Sequence, residues 1–393
     1  MSADDRERLV TPLFVLITAA ALAYFVALGS LLPVLPRYVE DTLDGGGIEV
    51  GLVVGAFAIS AALVRPLVGR LGDQVGRRAI AVGGAALAAV SIGLLGLVEA
   101  VWFLVFARLV TGLGEAGFFI GAATAAQDLA PDDRRGEAAS FFSTAVYGGL
   151  AFGPAIGEYL YRHHGAAANW AFAAAASTLA MALSSFIPRD LGRSEHPSRQ
   201  RGILHPAAVL PGSVLLLGLF GFTAFGAFVP LYVDEIGLDD AAPFFFAYGA
   251  IVLVVRIFGA RLPDRLGAVR TSSIALVAIS AGIGVVALVP SATGLWVGTI
   301  SLAIGMSLLF PALFTVAVNN APPDERSHAV GTFTLFFDLS QGLGAPLLGV
   351  IVSVTGAERP AFLAAAAVGL VGLVLANTRL RASVAEAATS PTP

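Results

Sequence analysis

Long apolar runs, broken at near-regular intervals by charged and Gly/Pro-rich clusters, dominate the pattern of this chain. Twelve runs can be marked, at 11–36, 48–69, 79–98, 101–127, 137–160, 167–187, 209–233, 242–262, 271–290, 293–318, 327–352 and 358–378. Each approaches the roughly 20 residues that an α-helix needs to cross a bilayer. Unpaired backbone groups find no partner in hydrocarbon, which excludes open sheet, and the strict alternation of a membrane β-barrel is missing. The pattern predicts an all-α polytopic membrane protein with twelve transmembrane helices. The first run is too long for the apolar core of a signal peptide and is read as the first membrane helix.

Composition narrows the function classes. Hydrophobic residues make up 57% of the 393 and charged residues only 13%, against about a quarter charged in soluble domains. Lipid must therefore be the solvent for much of the surface. The chain has no cysteine, which removes disulfides, thiol nucleophiles and cysteine zinc sites. All 23 basic residues are arginine. No nucleotide-binding loop of the G-x-x-x-x-G-K-S/T kind can exist without lysine, so ATP-driven transport is excluded and no cofactor is expected. Charge gives no footprint for nucleic acid.

Seventeen arginines fall in one set of loops, while the opposite set holds only Arg37, Arg162 and Arg359; Arg65, Arg108 and Arg256 lie within spans. By the positive-inside rule the first set, and both termini, are cytoplasmic. The Pro/Ser-rich charged stretch from Pro188 to Pro206 reads as a linker. The expected organisation is a six-helix half at 1–188, a cytoplasmic linker at 189–208, a second half at 209–380 and a disordered tail at 381–393.

An internal repeat supports that division. Arg65-Pro-Leu-Val-Gly-Arg-Leu-Gly-Asp73-Gln-Val-Gly76 matches Arg256-Ile-Phe-Gly-Ala-Arg-Leu-Pro-Asp264-Arg-Leu-Gly267 at an offset of 191 residues. Pro131-Asp-Asp-Arg134 matches Pro323-Asp-Glu-Arg326 at an offset of 192, which also pairs Phe141 with Phe333, Pro154 with Pro346 and Gly157 with Gly349. Halves repeated in parallel place a solute site at their interface near the bilayer midplane.

Four motifs carry candidate chemistry. Gly69-Arg-Leu-Gly-Asp73-Gln-Val-Gly76-Arg77-Arg78 follows the second span. The fourth span holds Arg108-Leu-Val-Thr-Gly112-Leu-Gly114-Glu115. A seven-residue spacing puts Arg108 and Glu115 on one helix face. An arginine inside a span costs at least about 2.5 kcal/mol unless paired or hydrated, so two charges on one stripe point to a polar cavity. In the fifth span, Gly149, Gly153 and Gly157 form a smooth stripe beside Pro154, followed by Glu158. Such a stripe admits a close neighbouring helix. Glu158 either titrates in the cavity or sits at the outer interface with Tyr159, Tyr161 and Arg162. In the eleventh span Thr334, Asp338 and Gln341 share a face. The repeat places Val146 opposite Asp338, so the acid is not required by duplication and points to a site of its own.

Together these motifs resemble the major facilitator superfamily over nearly the whole chain. The loop after the second span is similar to the family signature G-x-L-x-D-R/K-x-G-R/K-R/K, which implies a cytoplasmic latch formed by Gly69, Asp73, Gly76, Arg77 and Arg78, with Asp264 and Gly267 as its second copy. Arg108 is similar to the family's embedded arginine. The fifth span resembles the antiporter signature g-x-x-x-G-P-x-x-G-G, with Glu158 where a second glycine is expected. The resemblance implies two pseudo-symmetric six-helix halves, alternating access, and a monomer in the cytoplasmic membrane.

The leading expectation is proton-coupled export of a small amphiphilic compound, with Arg108, Glu115, Asp338, Gln341 and Glu158 in the coupling and substrate cavity. Uptake or facilitated diffusion of a metabolite or organic anion is the alternative. A sensor or scaffold of the same fold is the alternative of another class. Arg65 and Arg256 are expected to brace the latch loops, Asn319 and Asn320 to cap a helix end, and His163 and His164 to be solvated.

Overall fold

A computed structural model of the chain describes residues 10–131, 135–189, 191, 204–259, 266–321 and 326–382. Among these residues the chain forms twelve helices: α1 (Pro12–Asp41), α2 (Gly47–Val75), α3 (Arg77–Gly93), α4 (Val101–Asp128), α5 (Arg135–His164), α6 (Ala166–Ser184), α7 (Pro206–Glu235), α8 (Ala242–Gly259), α9 (Ala268–Leu288), α10 (Ala292–Asn319), α11 (Arg326–Thr355) and α12 (Arg359–Leu375). A π-helical turn, Ala376–Leu380, continues α12. Each helix matches one apolar run, and nine among the described residues are long and apolar enough to cross a membrane. The fold is all-α.

Local chemistry explains where helices begin. Thr11 caps α1 by accepting the Phe14 N–H at 3.2 Å, and Ser291 caps α10 from Gly294. His205 caps α7 through Nδ1, and Pro12 and Pro206 follow their caps directly, where a missing N–H costs nothing. Gly76 and Gly267 open α3 and α9 at φ of +94° and +80°, and Gly165 and Gly356 precede α6 and α12 at +80° and +69°. Both pairs stand 191 residues apart, so the duplication preserves backbone conformations that only glycine adopts freely.

Several boundaries differ from expectation, among them the end of α1. The first run ends at Pro36, but α1 continues through Pro33 and Pro36 to Asp41. Proline removes a backbone donor and normally stops a helix. Here the segment Ala27–Val39 is buried apart from Leu32, and packing keeps it helical past both prolines.

The helices gather into two compact units, one of Met1–Leu43 with Ala56–Gln200, the other of Asp44–Gly55 with Arg201–Pro393. In the first, α1 packs on α5 and α6, and α3 on α4 and α6. In the second, α9 packs on α10 and α12, and α7 on α11 and α12. The first turns of α2, residues 47–55, belong to the second unit.

Candidate functional site

The first unit buries a charged cluster around α4. Arg108 is 5% exposed and its guanidinium lies 4.5 Å above the Phe57 ring. Two turns on, Glu115 is equally buried and accepts hydrogen bonds from Arg65 Nη2 at 3.2 Å to Oε1 and 3.1 Å to Oε2. The Arg65 guanidinium also lies over Phe119 at 5.2 Å. Between the two charges, Thr111 bonds back to the Ala107 carbonyl and meets Ser91 of α3 at 2.9 Å. Gly112 lies so close to Ser60 and Phe57 of α2 that a side chain would collide with both. The expected single face of Arg108 and Glu115 is thus buried, and Arg65 of α2 is a partner of its carboxylate.

A second cluster joins the ends of α1 and α5. Glu158 is fully buried; its Oε1 accepts from Arg162 Nε at 2.7 Å and pairs with Arg37 Nε at 3.4 Å. Tyr161 donates to Asp41 at 3.1 Å. Arg37 lies thirteen residues beyond Tyr24 on α1, about 20 Å along the axis at 1.5 Å per residue. Glu158 therefore stands with two of the three arginines assigned to the outer loops.

Along α5, a Cβ on Gly149 would lie 2.6 Å from Phe25 Cβ, and one on Gly153 2.6 Å from the Val26 carbonyl oxygen. One on Gly157 would collide with the Ser30 carbonyl. That carbonyl also accepts from Asn169 Nδ2 at 3.1 Å. Pro154 lies inside α5 without ending it. In the second unit, Gly349 and Pro346 of α11 meet Gly47, Gly51 and Gly55 with similar closeness.

In that unit Asp338 is buried. Gln341 accepts a hydrogen bond from Thr223 of α7, and Ser340 donates to the Leu216 carbonyl at 2.8 Å. Thr334 turns its hydroxyl back onto Val330 of its own helix.

The signature loop has a described geometry around Gly76. The Arg77 N–H donates to the Leu191 carbonyl at 3.1 Å, and a Cβ on Gly76 would stand 2.9 Å from the Arg189 oxygen. Arg77 Nε pairs with Asp128, the last residue of α4, at 3.2 Å. Arg78 is half-buried in the next position, and a Cβ on Gly69 would meet nothing within 4 Å. Gly267 opens α9. The side chain of Asp73, and Asp264 altogether, lie outside the described residues.

Comparison with known proteins decides the family. The model of the Major Facilitator Superfamily matches residues 16–345 and 264–392. The chain belongs to the Major Facilitator Superfamily. An uncharacterised MFS-type transporter of Salmonella typhimurium, STM4428, is 30% identical over 378 residues, covering 93% of this chain and 96% of its own. An uncharacterised MFS-type transporter of Pseudomonas aeruginosa is 32% identical over 388 residues, covering 95% and 94%. Among solved structures, a POT family transporter in complex with 5-aminolevulinic acid shares the fold, with a TM-score of 0.76 at 13% identity over 93% of this chain and 95% of that one. The protein is thus a multi-pass membrane transporter with the twelve-helix MFS fold in two six-helix halves.

Sequence reasoning missed Arg65 as the partner of Glu115, Asp128 as that of Arg77, and Tyr24 altogether. The first was legible in principle: an in-span arginine must find an anion, and Glu115 is an in-span acid of the same half. Tyr24, alone in an apolar run, gave no signal.

Proposed function

We propose that this transporter works by alternating access and couples proton movement to export of a small amphiphilic compound. The observation that carries the reading is the buried Glu115 carboxylate, held on both oxygens by Arg65. A carboxylate in that setting has two stable states. Ionised, it is tied to the cation; protonated, it releases it, and a transporter whose facing states differ in that preference couples protons to solute. Arg108 lies on the same stripe and completes the polar wall in the first half, and Asp338 and Gln341 are the polar groups of the second. The glycine stripe beside Pro154 supports the antiport direction. Glu158, between Arg37 and Arg162, ties α1 to α5 at the outer end. Arg77 on Asp128 forms the cytoplasmic latch with Gly69, Asp73, Gly76 and Arg78, and Asp264 and Gly267 repeat it. The protein acts as a monomer in the cytoplasmic membrane, both termini inside, and performs no covalent chemistry.

The test is proton movement in proteoliposomes carrying a trapped pH dye, with imposed gradients of lipophilic cations and organic acids. Substrate-dependent proton flux in the wild type, lost in Glu115→Gln, is expected. Solute movement with no proton flux in the wild type would make the protein a facilitator of a metabolite or organic anion.

A further inference from the structure

Tyr24 belongs to none of the sequence motifs, yet the first unit builds it into the wall beside Glu115. Its side chain is wholly buried. The ring stacks on Phe118 of α4 with centroids 4.0 Å apart and 15° between planes, and Phe25 meets it edge-on at 5.7 Å. Phe118 follows Glu115 by three positions, so the two side chains are neighbours on the α4 surface. These two aromatic contacts fix the plane of the phenol ring. Its hydroxyl has no hydrogen-bond partner among the described residues. Buried tyrosine hydroxyls ordinarily have one, because an unmet polar group away from water is costly.

We propose that Tyr24 is a positioning residue for the proton site, and that its hydroxyl bonds the Glu115 carboxyl once that group is protonated. The inference rests on Glu115 being the proton carrier. In the ionised state Arg65 Nη2 serves both carboxylate oxygens. When one proton adds to an oxygen of Glu115, the charge–charge attraction to Arg65 is lost and its hydrogen bonds weaken; the new O–H bond is the one covalent change, and the Tyr24 hydroxyl takes up the freed position. The neutral acid then presents an O–H donor and a carbonyl acceptor. A phenol satisfies either one and carries no charge, so it stabilises the neutral form where a cation favours the ionised one.

The groups facing Glu115 divide accordingly. Helix α2 brings Arg65, and α4 itself carries Arg108. Helix α1 brings Tyr24, and α5 brings Tyr147 in mid-helix, with its other titratable side chains near its two ends. Helix α3 carries Arg77 and Arg78 only in its first turn. Tyr24 is the fully buried one among the two tyrosines, and it supplies the neutral hydrogen-bonding group that the cations cannot.

Infrared difference spectra between high and low pH test this on the full-length protein in lipid. The C=O stretch of protonated Glu115 is identified by its disappearance in Glu115→Gln. Tyr24→Phe keeps the ring, the stack on Phe118 and the fold. In that variant the band is expected to move to higher wavenumber, as it does when a hydrogen bond to the carboxyl is lost. Proton-coupled transport should slow about fivefold, the equivalent of one ordinary hydrogen bond. A Glu115 band that is present but unmoved in Tyr24→Phe overturns the role of Tyr24 and leaves the proton reading standing. The absence of any Glu115-dependent band at every pH where the protein stays folded overturns both.

Discussion

At the Arg65–Glu115 pair a single guanidinium nitrogen serves both carboxylate oxygens, and the two side chains are 14% and 7% exposed. Burial makes such a pair asymmetric in its energetics. Removing both charges can be nearly neutral, whereas removing one partner of a buried pair costs about 3–5 kcal/mol. Arg65→Gln is therefore expected to lower thermal stability in detergent, by less than that range to the extent that Glu115 takes up a proton instead. The double variant Arg65→Gln/Glu115→Gln should lose less than the two single variants together. Strictly additive losses across that cycle would show that the pair is not coupled. The pair also shows how far residue types carry an argument. The expense of an in-span arginine announces that a partner exists. Which acid it meets depends on the rotation of α2 against α4, set by contacts such as Gly112 on Ser60 and Phe57.

Between helices, the decisive quantity is how closely backbones approach. Gly149, Gly153 and Gly157 bring α5 directly onto α1 from Phe25 to Ser30. Gly148 lies one position away, where the nearest atom to an added Cβ is Leu22 Cδ1 at 3.5 Å. A methyl group there makes an ordinary contact. The same methyl on Gly153 would press on the Val26 carbonyl and on Gly29, and overpacking of that kind costs typically about 1–3 kcal/mol. Gly153→Ala and Gly157→Ala are thus expected to be destabilised and slow in transport, with Gly148→Ala close to wild type in both. Equal behaviour of all three, measured as unfolding temperature and initial transport rate, would remove the stripe from the account. The sequence spacing of four announced a smooth face. That it lies on α1 is a result of packing, and the related face of α11 meets the first turns of α2 instead.

The whole molecule is a duplicated chain of twelve helices, and its topology can be tested without altering the background, because no native cysteine is present. His164→Cys and Thr355→Cys should react with a membrane-impermeant maleimide in intact cells. Arg189→Cys and Ala382→Cys should react only after permeabilisation. The reverse pattern would invert the orientation drawn from arginine placement. Helix number, the two-fold repeat and the family itself were all determined by the sequence. They depend on hydropathy, local backbone conformation and charge cost, which neighbouring residues alone set. The continuation of α1 through Pro33 and Pro36 was not among them, since only burial of that segment outweighs the lost backbone donors. Nor was the separation of Glu158 from Glu115: both are in-span acids to the eye, but one is taken by Arg37 and Arg162 and the other by Arg65. Tyr24 marks the same limit most plainly, an unremarkable residue in an apolar run until α1 packs it against Phe118. Side-chain pairing between helices depends on their rotation and depth, and those are properties of the packed bundle that no single run of sequence contains.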